Sequence, residues 1–156
     1  MSQPLYVDSS ITINAPAEKV WDMLTNPQQT KRYMFGCEAL SDYQPGSPLT
    51  WEGTFNGVHM VAVKGWVVAI EPGRFLEYTT IDPNNPDMPD VPENYVHVTY
   101  TLTEANGTTR LDVRQGDFST VALGQKRYEE SRNNGEGWKP VLDQIKALCE
   151  SNGSMA

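Results

Sequence analysis

The sequence is poor in the residues that most often carry chemistry at neutral pH. It contains two histidines and two cysteines among 156 residues, and neither type forms a closely spaced pair. Zinc sites and redox motifs need such pairs, with His or Cys ligands a few residues apart. The glycine-rich fingerprints of nucleotide-binding loops and the Gly-x-Ser-x-Gly motif of serine hydrolases are also missing. We therefore expect no metal, no cofactor and no assigned catalytic residue.

Two further absences concern partners and location. No apolar run approaches the roughly 20 residues of a membrane span, and the N-terminus lacks the layout of a signal peptide. The net charge is −8, so nucleic acid and anionic membrane surfaces would be repelled. Cys37 and Cys149 are expected to be two buried thiols rather than a disulfide. The sequence thus indicates a cytoplasmic protein with neither nucleic acid nor membrane as a partner.

The composition favours a single globular domain. Hydrophobic residues make up 38% of the chain and aromatic residues 10%, which suits a packed core. A chain of this length buries about two-thirds of its unfolded surface. We expect one domain over residues 1–156, with its core over about 6–150.

Most of the chain up to residue 115 predicts strands and turns. Residues 6–14 alternate between apolar and polar side chains, which is typical of a half-buried strand. Asn-Gly pairs at 56–57 and 106–107 predict two-residue hairpin turns. Two short helices are expected after the first strand, the second beginning at Pro27. Six or seven strands in series, mostly joined by hairpins, favour one antiparallel sheet within an α+β fold.

The C-terminal region predicts one continuous helix with an interrupted apolar stripe. Residues spaced three and four apart form this stripe, and it is small at two central positions, Ser131 and Gly135. Close packing against a bulky strand is one explanation, because Gly in a helix usually has a packing reason. A ligand cavity is the other, because a curved sheet leaves a hollow that only large side chains would fill. The stripe consists of Tyr128, Ser131, Gly135, Trp138, Leu142, Ile145 and Cys149.

The side chains on the expected inner faces favour the cavity. They are aromatic and amphipathic, with an occasional polar group such as Gln115, as in small-molecule pockets. The segment 31–35 follows the second helix and is either a hydrophobic plug on the core or a mobile gate. The predicted ligand-binding residues are Tyr33, Met34, Phe35, Trp51, Phe55, Tyr78, Tyr100, Gln115, Ser131, Gly135 and Trp138.

Four motifs, in order over about residues 6–150, resemble a known family. They are I-T-I-N-A-P-A-E-K-V-W-D-M-L-T-N-P, G-W-V-V-A-I-E-P-G-R-F-L-E-Y-T, V-T-Y-T-L-T-E-A-N-G-T-T-R-L-D-V and N-G-E-G-W-K-P-V-L-D-Q-I-K-A-L. Together they resemble homologues of the C-terminal domain of the activator of heat-shock protein 90 ATPase, within the START or Bet v 1-like superfamily. The resemblance implies a helix-grip fold. In that fold a curved antiparallel sheet wraps around a long C-terminal helix, and two short helices follow the first strand.

The same resemblance implies a range of functions. Superfamily members that bind ligands hold lipids, sterols, polyketides or other apolar molecules between helix and sheet, and a few act as enzymes there. Our main expectation is a monomer or homodimer that binds one hydrophobic small molecule. One alternative is a chaperone-associated or regulatory interaction module. The other is a cyclase- or hydratase-type enzyme, in which Tyr78, Tyr100 or Gln115 orients a carbonyl and His59 acts as base.

Overall fold

A single antiparallel sheet of seven strands dominates the part of the chain that is described. The computed structural model describes residues 3–34, 36–132 and 135–152. The strands are β1 (Val7–Ile13), β2 (Glu38–Ser41), β3 (Pro48–Phe55), β4 (Val58–Glu71), β5 (Phe75–Thr80), β6 (Val96–Ala105) and β7 (Thr108–Gly116). The helices are α1 (Ala17–Thr25), α2 (Pro27–Thr30), α3 (Gly124–Arg132) and α4 (Lys139–Asn152).

The sheet has the order β1-β7-β6-β5-β4-β3-β2, so the last strand of the chain pairs with the first. The core lies between the inner face of the curved sheet and helices α1 and α4. From α4, Leu142, Ile145 and Cys149 are each 1% exposed. This arrangement confirms the α+β helix-grip fold, with two short helices after the first strand.

The two Asn-Gly turns form the hairpins that the sequence predicts. Asn56 and Gly57 have φ angles of 52° and 79°, and they join β3 to β4. Asn106 and Gly107 have φ angles of 57° and 77°, and they join β6 to β7. Two-residue hairpin turns of this kind need positive φ at both positions, which Asn and Gly adopt most readily.

Strand β4 bends across the sheet because its pairing register shifts twice. Trp51 pairs with Val63 while Glu52 pairs with Val61, so Ala62 is an extra residue in the strand. A second shift towards β5 lies between Val67 and Ala69. Such bulges bend and twist a strand locally. They give the sheet the curvature that leaves room beneath its centre.

The C-terminal region differs from its prediction. A single helix over 128–149 is wrong, because α3 ends at Arg132 and α4 begins at Lys139. Gly135 and Gly137 have φ angles of 93° and 54°, in the left-handed region where helices end. Gly135 is exposed, and a Cβ placed on it would meet no atom within 4 Å. It therefore does not face the sheet.

Pro140 lies in the first turn of α4. It is the second residue of α4, where the missing N–H would have no helical partner in any case. The two glycines and the proline thus end one helix and begin the next. None of the described helices is both long and apolar enough to cross a bilayer.

Candidate functional site

A mainly apolar cavity of about 260 Å³ lies between the inner face of the sheet and Trp138. Strands β3 to β7 provide most of its wall, and the segment after α2 adds two residues. Five of the predicted ligand-binding residues line it: Met34, Trp51, Tyr78, Gln115 and Trp138. The wall is completed by Cys37, Ala62, Val63, Thr80 and Val98.

Trp138 lies in the segment between α3 and α4 and lines the cavity. None of the described residues of α3 or α4 lines it. The backbone N–H of Trp138 donates to Ser9 Oγ at 3.2 Å, and its indole Nε1 donates to Gln115 Oε1 at 2.9 Å. A Cβ on Gly137 would lie 2.9 Å from Ser9 Oγ and 3.1 Å from Val7 Cγ1, so glycine permits this close approach.

Four aromatic rings form a chain along the inside of the sheet. Trp51 contacts Tyr78, Tyr78 contacts Tyr100, and Tyr100 contacts Trp138, with centroid separations of 6.4, 5.4 and 5.9 Å. The Tyr78 and Tyr100 hydroxyls share a hydrogen bond of 2.7 Å. Tyr100 therefore supports the wall from behind, while Tyr78 reaches the cavity.

The titratable groups of the wall keep their protons at neutral pH. Burial is the main cause that raises the pKa of Tyr78 well above its ordinary value, and burial also raises the pKa of the Cys37 thiol. The other cysteine, Cys149, has its pKa raised to about 11, mainly by burial. Both cysteines are buried free thiols, which confirms the sequence expectation. This wall can hold an apolar molecule, and it offers no base at neutral pH.

A second, smaller cavity of about 170 Å³ adjoins the first. Val63, Thr80 and Gln115 line both cavities, so the two share a wall. Helix α3 covers the second cavity with Arg127, Glu130 and Ser131. Ser131 therefore lies at this second cavity rather than at the apolar one. Its remaining lining residues are Ile81, Asp82, Asn85, Met88, Val96 and Phe118.

The other predicted residues lie elsewhere. Tyr33 is 2% exposed and its hydroxyl donates to the Met23 carbonyl at 2.8 Å, so it is part of the core rather than of a gate. Phe55 packs against the core near the end of β3 without lining the cavity, and Gly135 is exposed. Phe35 lies outside the described residues.

Five of the ten residues that line the apolar cavity are not among those predicted from the sequence. Thr80 and Val98 have the same parity as Tyr78 and Tyr100 on their strands, so strand alternation could have found them. Ala62 and Val63 are adjacent in sequence, and both reach the cavity because of the bulge in β4. No local sequence pattern predicts that bulge.

Both histidines lie on the outer face of the sheet. His59 Nε2 is 2.9 Å from Glu52 Oε1, and the His59 side chain is 62% exposed. His97 Nδ1 is 2.7 Å from Glu77 Oε2, also at the surface. The role of base in the cavity that the enzyme alternative gave to His59 is therefore wrong. Within the described ranges, no three His, Cys, Asp or Glu side chains are grouped as metal ligands.

Comparison with known proteins identifies the family of this chain. The model of the family described as "Activator of Hsp90 ATPase homolog 1-like protein" matches residues 14–150. The chain belongs to this family. A solution structure from Cytophaga hutchinsonii is 31% identical, with 99% of each chain covered and a TM-score of 0.73. No curated protein matches the chain.

Two more distant structures share the fold alone. An Hsp90 activator from Plasmodium falciparum is 16% identical, with 72% of this chain and 73% of that chain covered and a TM-score of 0.58. The Aha1 dimer from Colwellia psychrerythraea is also 16% identical, with 94% and 96% covered and a TM-score of 0.64. Membership of the family supports a ligand-binding or an Hsp90-related regulatory module.

Proposed function

We propose that this protein binds one small, mainly apolar aromatic molecule in the cavity of about 260 Å³. The observation that supports the proposal is the cavity itself. Ligand sites are typically concave and mainly apolar, with a few polar groups that orient the ligand. Here a partly open pocket of about 260 Å³ is bordered by two indole rings, a tyrosine ring and one amide.

The volume indicates the size of the ligand. An apolar cavity of roughly 150 Å³ binds benzene, so this one suits a molecule with about ten to twelve non-hydrogen atoms. The rings of Trp51 and Trp138 offer flat apolar faces for an aromatic guest. A two-ring aromatic compound is therefore the class that fits best.

Filling the cavity should prevent binding. Ala62 lines the cavity, and Ala62→Phe places a ring in the space that the ligand would occupy. We expect this variant to bind naphthalene at least about tenfold more weakly than the wild type, because about 1.4 kcal/mol of apolar contact is lost. Quenching of tryptophan fluorescence measures the affinity. Native mass spectrometry of the freshly purified protein adds an independent test, since a resident ligand gives an extra mass that denaturation removes.

The control is the same substitution on the opposite face of the same strand. Ala69 pairs with Glu77 on the outer face of the sheet, so Ala69→Phe adds equal bulk outside the cavity. It should bind naphthalene as the wild type does. A folded Ala62→Phe protein with wild-type affinity would contradict the proposal, as would a wild type that binds no naphthalene and carries no extra mass.

A second candidate function is regulation of an Hsp90-type chaperone, which family membership favours. The measurement is the ATPase rate of purified Hsp90 from the same organism, with and without this protein. An increase in the rate would support this role. An unchanged rate, with no association at micromolar concentrations, would rule it out. Ala62→Phe shows whether any such effect needs the cavity.

We also propose that the protein forms a homodimer, since the Colwellia structure of the same fold is a dimer. Strands β1 and β2 are the two edges of the sheet and leave backbone groups available for pairing. Light scattering during size-exclusion chromatography would give the molar mass. A mass of 17.4 kDa at all concentrations would exclude the dimer.

A further inference from the structure

The second cavity is the place where a polar group of the ligand proposed above would lie. It adds about 170 Å³ next to the apolar cavity and is lined by several polar side chains. Gln115 belongs to both cavities, so it marks the junction where an apolar guest would first meet polar groups. Gln115 and Arg127 both line the second cavity. The hydrogen bonds that these two side chains can still form decide which ligand group fits there.

Gln115 has a donor to spare at the junction. Its Oε1 atom accepts from the indole of Trp138 at 2.9 Å, which fixes the orientation of the amide. No acceptor among the described residues takes its Nε2 hydrogens. Every fully buried side-chain nitrogen or oxygen among those residues has a partner, so Nε2 borders accessible space. It can therefore donate to a guest.

Arg127 provides further donors in the second cavity. Its Nη1 atom donates to the carbonyl oxygens of Asn94 at 2.7 Å and Ala122 at 3.5 Å, and lies 3.6 Å from Met88 Sδ. All three partners are uncharged, and no carboxylate of the described residues lies within ion-pair distance of Arg127. Its Nε and Nη2 groups have no acceptor among the residues that the structure describes, and charged donors form stronger hydrogen bonds than neutral ones.

The surrounding charge selects between an anionic and a neutral acceptor. Asp82 and Glu130 line the same cavity, and their negative charges act on the guanidinium group of Arg127. A ligand carboxylate would add a third negative charge to a chain of net charge −8. A neutral carbonyl oxygen accepts from the same donors without that repulsion.

We infer that the ligand is an aromatic compound with a neutral carbonyl group. Its rings lie in the apolar cavity, and its oxygen accepts hydrogen bonds from Gln115 Nε2 and from Arg127. The inference rests on the proposed function, because it assigns a chemical class to the ligand of the same cavity.

The test compares probes of similar size on the wild-type protein. 2-Acetylnaphthalene carries the carbonyl group, and 2-isopropylnaphthalene replaces its oxygen by a methyl group. We expect the ketone to bind at least about tenfold more tightly, because hydrogen bonds to charged donors contribute about 1.5–3 kcal/mol. 2-Naphthoate should bind more weakly than the ketone. Equal affinities of ketone and hydrocarbon, or tighter binding of the naphthoate, would overturn the inference.

Two substitutions test whether Gln115 and Arg127 cause the preference for the ketone over the hydrocarbon. Gln115→Glu keeps an oxygen for the Trp138 indole but removes the Nε2 donor, and Arg127→Leu removes the charged donors. Each should reduce the preference for ketone over hydrocarbon to less than about threefold. Arg132→Leu is the matched control, because Arg132 lies on the same helix and pairs with Glu129 at the surface. If Arg127→Leu fails to fold, the wild-type probe series and Gln115→Glu still decide.

The outcomes separate this inference from the proposed function. If the hydrocarbon binds and Ala62→Phe prevents its binding, the cavity is a binding site whatever the ketone does. A ketone without advantage then overturns only the carbonyl assignment. If neither probe binds the wild type, both proposals fail together.

Discussion

The hydroxyl groups of Tyr78 and Tyr100 satisfy each other inside the protein. They are 2.7 Å apart, and the two residues are 2% and 1% exposed. A buried hydroxyl without a partner costs about 1–3 kcal/mol, so each tyrosine depends on the other. The pair holds two of the four rings that form the inner aromatic chain.

Removing one hydroxyl should therefore lower the free energy of unfolding by more than half of what removing both does. We expect Tyr78→Phe and Tyr100→Phe each to lower the free energy of unfolding by about 1–3 kcal/mol. The double variant should lose clearly less than the sum, because no hydroxyl is then left unpaired. Urea unfolding of the four proteins gives this coupling. Strict additivity would show that water replaces the missing partner.

Gly65 of β4 lies directly against the backbone of Thr79 in β5, with no room for a side chain. A Cβ there would lie 1.8 Å from the Thr79 carbonyl oxygen, a clash that only backbone movement could relieve. Gly65→Ala should lower the free energy of unfolding by about 2 kcal/mol or more. Gly46→Ala is a suitable comparison, since its Cβ meets no atom and only the φ of 88° is unfavourable. A smaller loss at position 65 than at position 46 would contradict this explanation.

Residue patterns predict the centre of the site but not its boundary. Strand alternation correctly placed Trp51, Tyr78 and Gln115 on the inner face, because those strands are regular around them. It could not find Ala62, since a bulge changes which residues face inward, and its position depends on the neighbouring strand. The position of Tyr33 after α2 is compatible with a gate, but its burial and its hydrogen bond to the Met23 carbonyl make it part of the core.

At the level of elements, the break between α3 and α4 is the main departure from prediction. Apolar spacing remains in phase across the break, because Trp138 and the α4 residues still face the sheet. Periodicity alone therefore could not reveal two helices. The segment Asn-Asn-Gly-Glu-Gly at 133–137 was the available signal, since both Asn and Gly adopt positive φ readily. At this position local turn chemistry outweighs the apolar stripe.

This break determines the expected effect of a substitution at Gly135. Because the residue is exposed, Gly135→Leu should leave naphthalene binding unchanged and lower the free energy of unfolding by about 1–2 kcal/mol through its φ of 93°. Fluorescence titration and urea unfolding measure the two quantities. Gly137→Ala should be worse, since its Cβ also meets Ser9 and Val7. Loss of binding in a folded Gly135→Leu protein would restore the sheet-facing interpretation.

For the whole molecule, the sequence predicted the fold far better than the cavity. Hairpin turns are local, so Asn56-Gly57 and Asn106-Gly107 predict the pairings of β3 with β4 and of β6 with β7. The pairing of β1 with β7 joins residues about a hundred positions apart, so no local pattern predicts it. The cavity depends on the bulge, the helix break and the position of Trp138 together. No single segment contains that information.

Carboxylates that tie distant segments together should make stability depend on acid. Hydrogen bonds from the backbone of Leu5, and then from Ser119, lower the pKa of Asp117. The backbone of Asn14, and then Lys146, lower the pKa of Glu150. A group whose folded pKa is lowered stabilises the protein above its unfolded pKa of about 4, and this stabilisation is lost as pH falls further.

We therefore expect the free energy of unfolding to decrease below about pH 4. Asp117→Asn and Glu150→Gln should each reduce stability at pH 7 and make the decrease below pH 4 smaller. Urea midpoints at pH 7 and pH 3.5 test this. Asp87→Asn, in the exposed loop before β6, is the control and should behave like the wild type. Parallel pH curves for wild type and Asp117→Asn would contradict the assignment.

Helix α3 has no buried residue, although it covers the second cavity. Its opening would break few apolar contacts and would leave the sheet and α4 in place. Amide hydrogens of α3 should consequently exchange with solvent much faster than those of α4. A bound molecule would then leave on the timescale of this local opening, long before the protein unfolds. Residence time and global stability would be set by different parts of the chain.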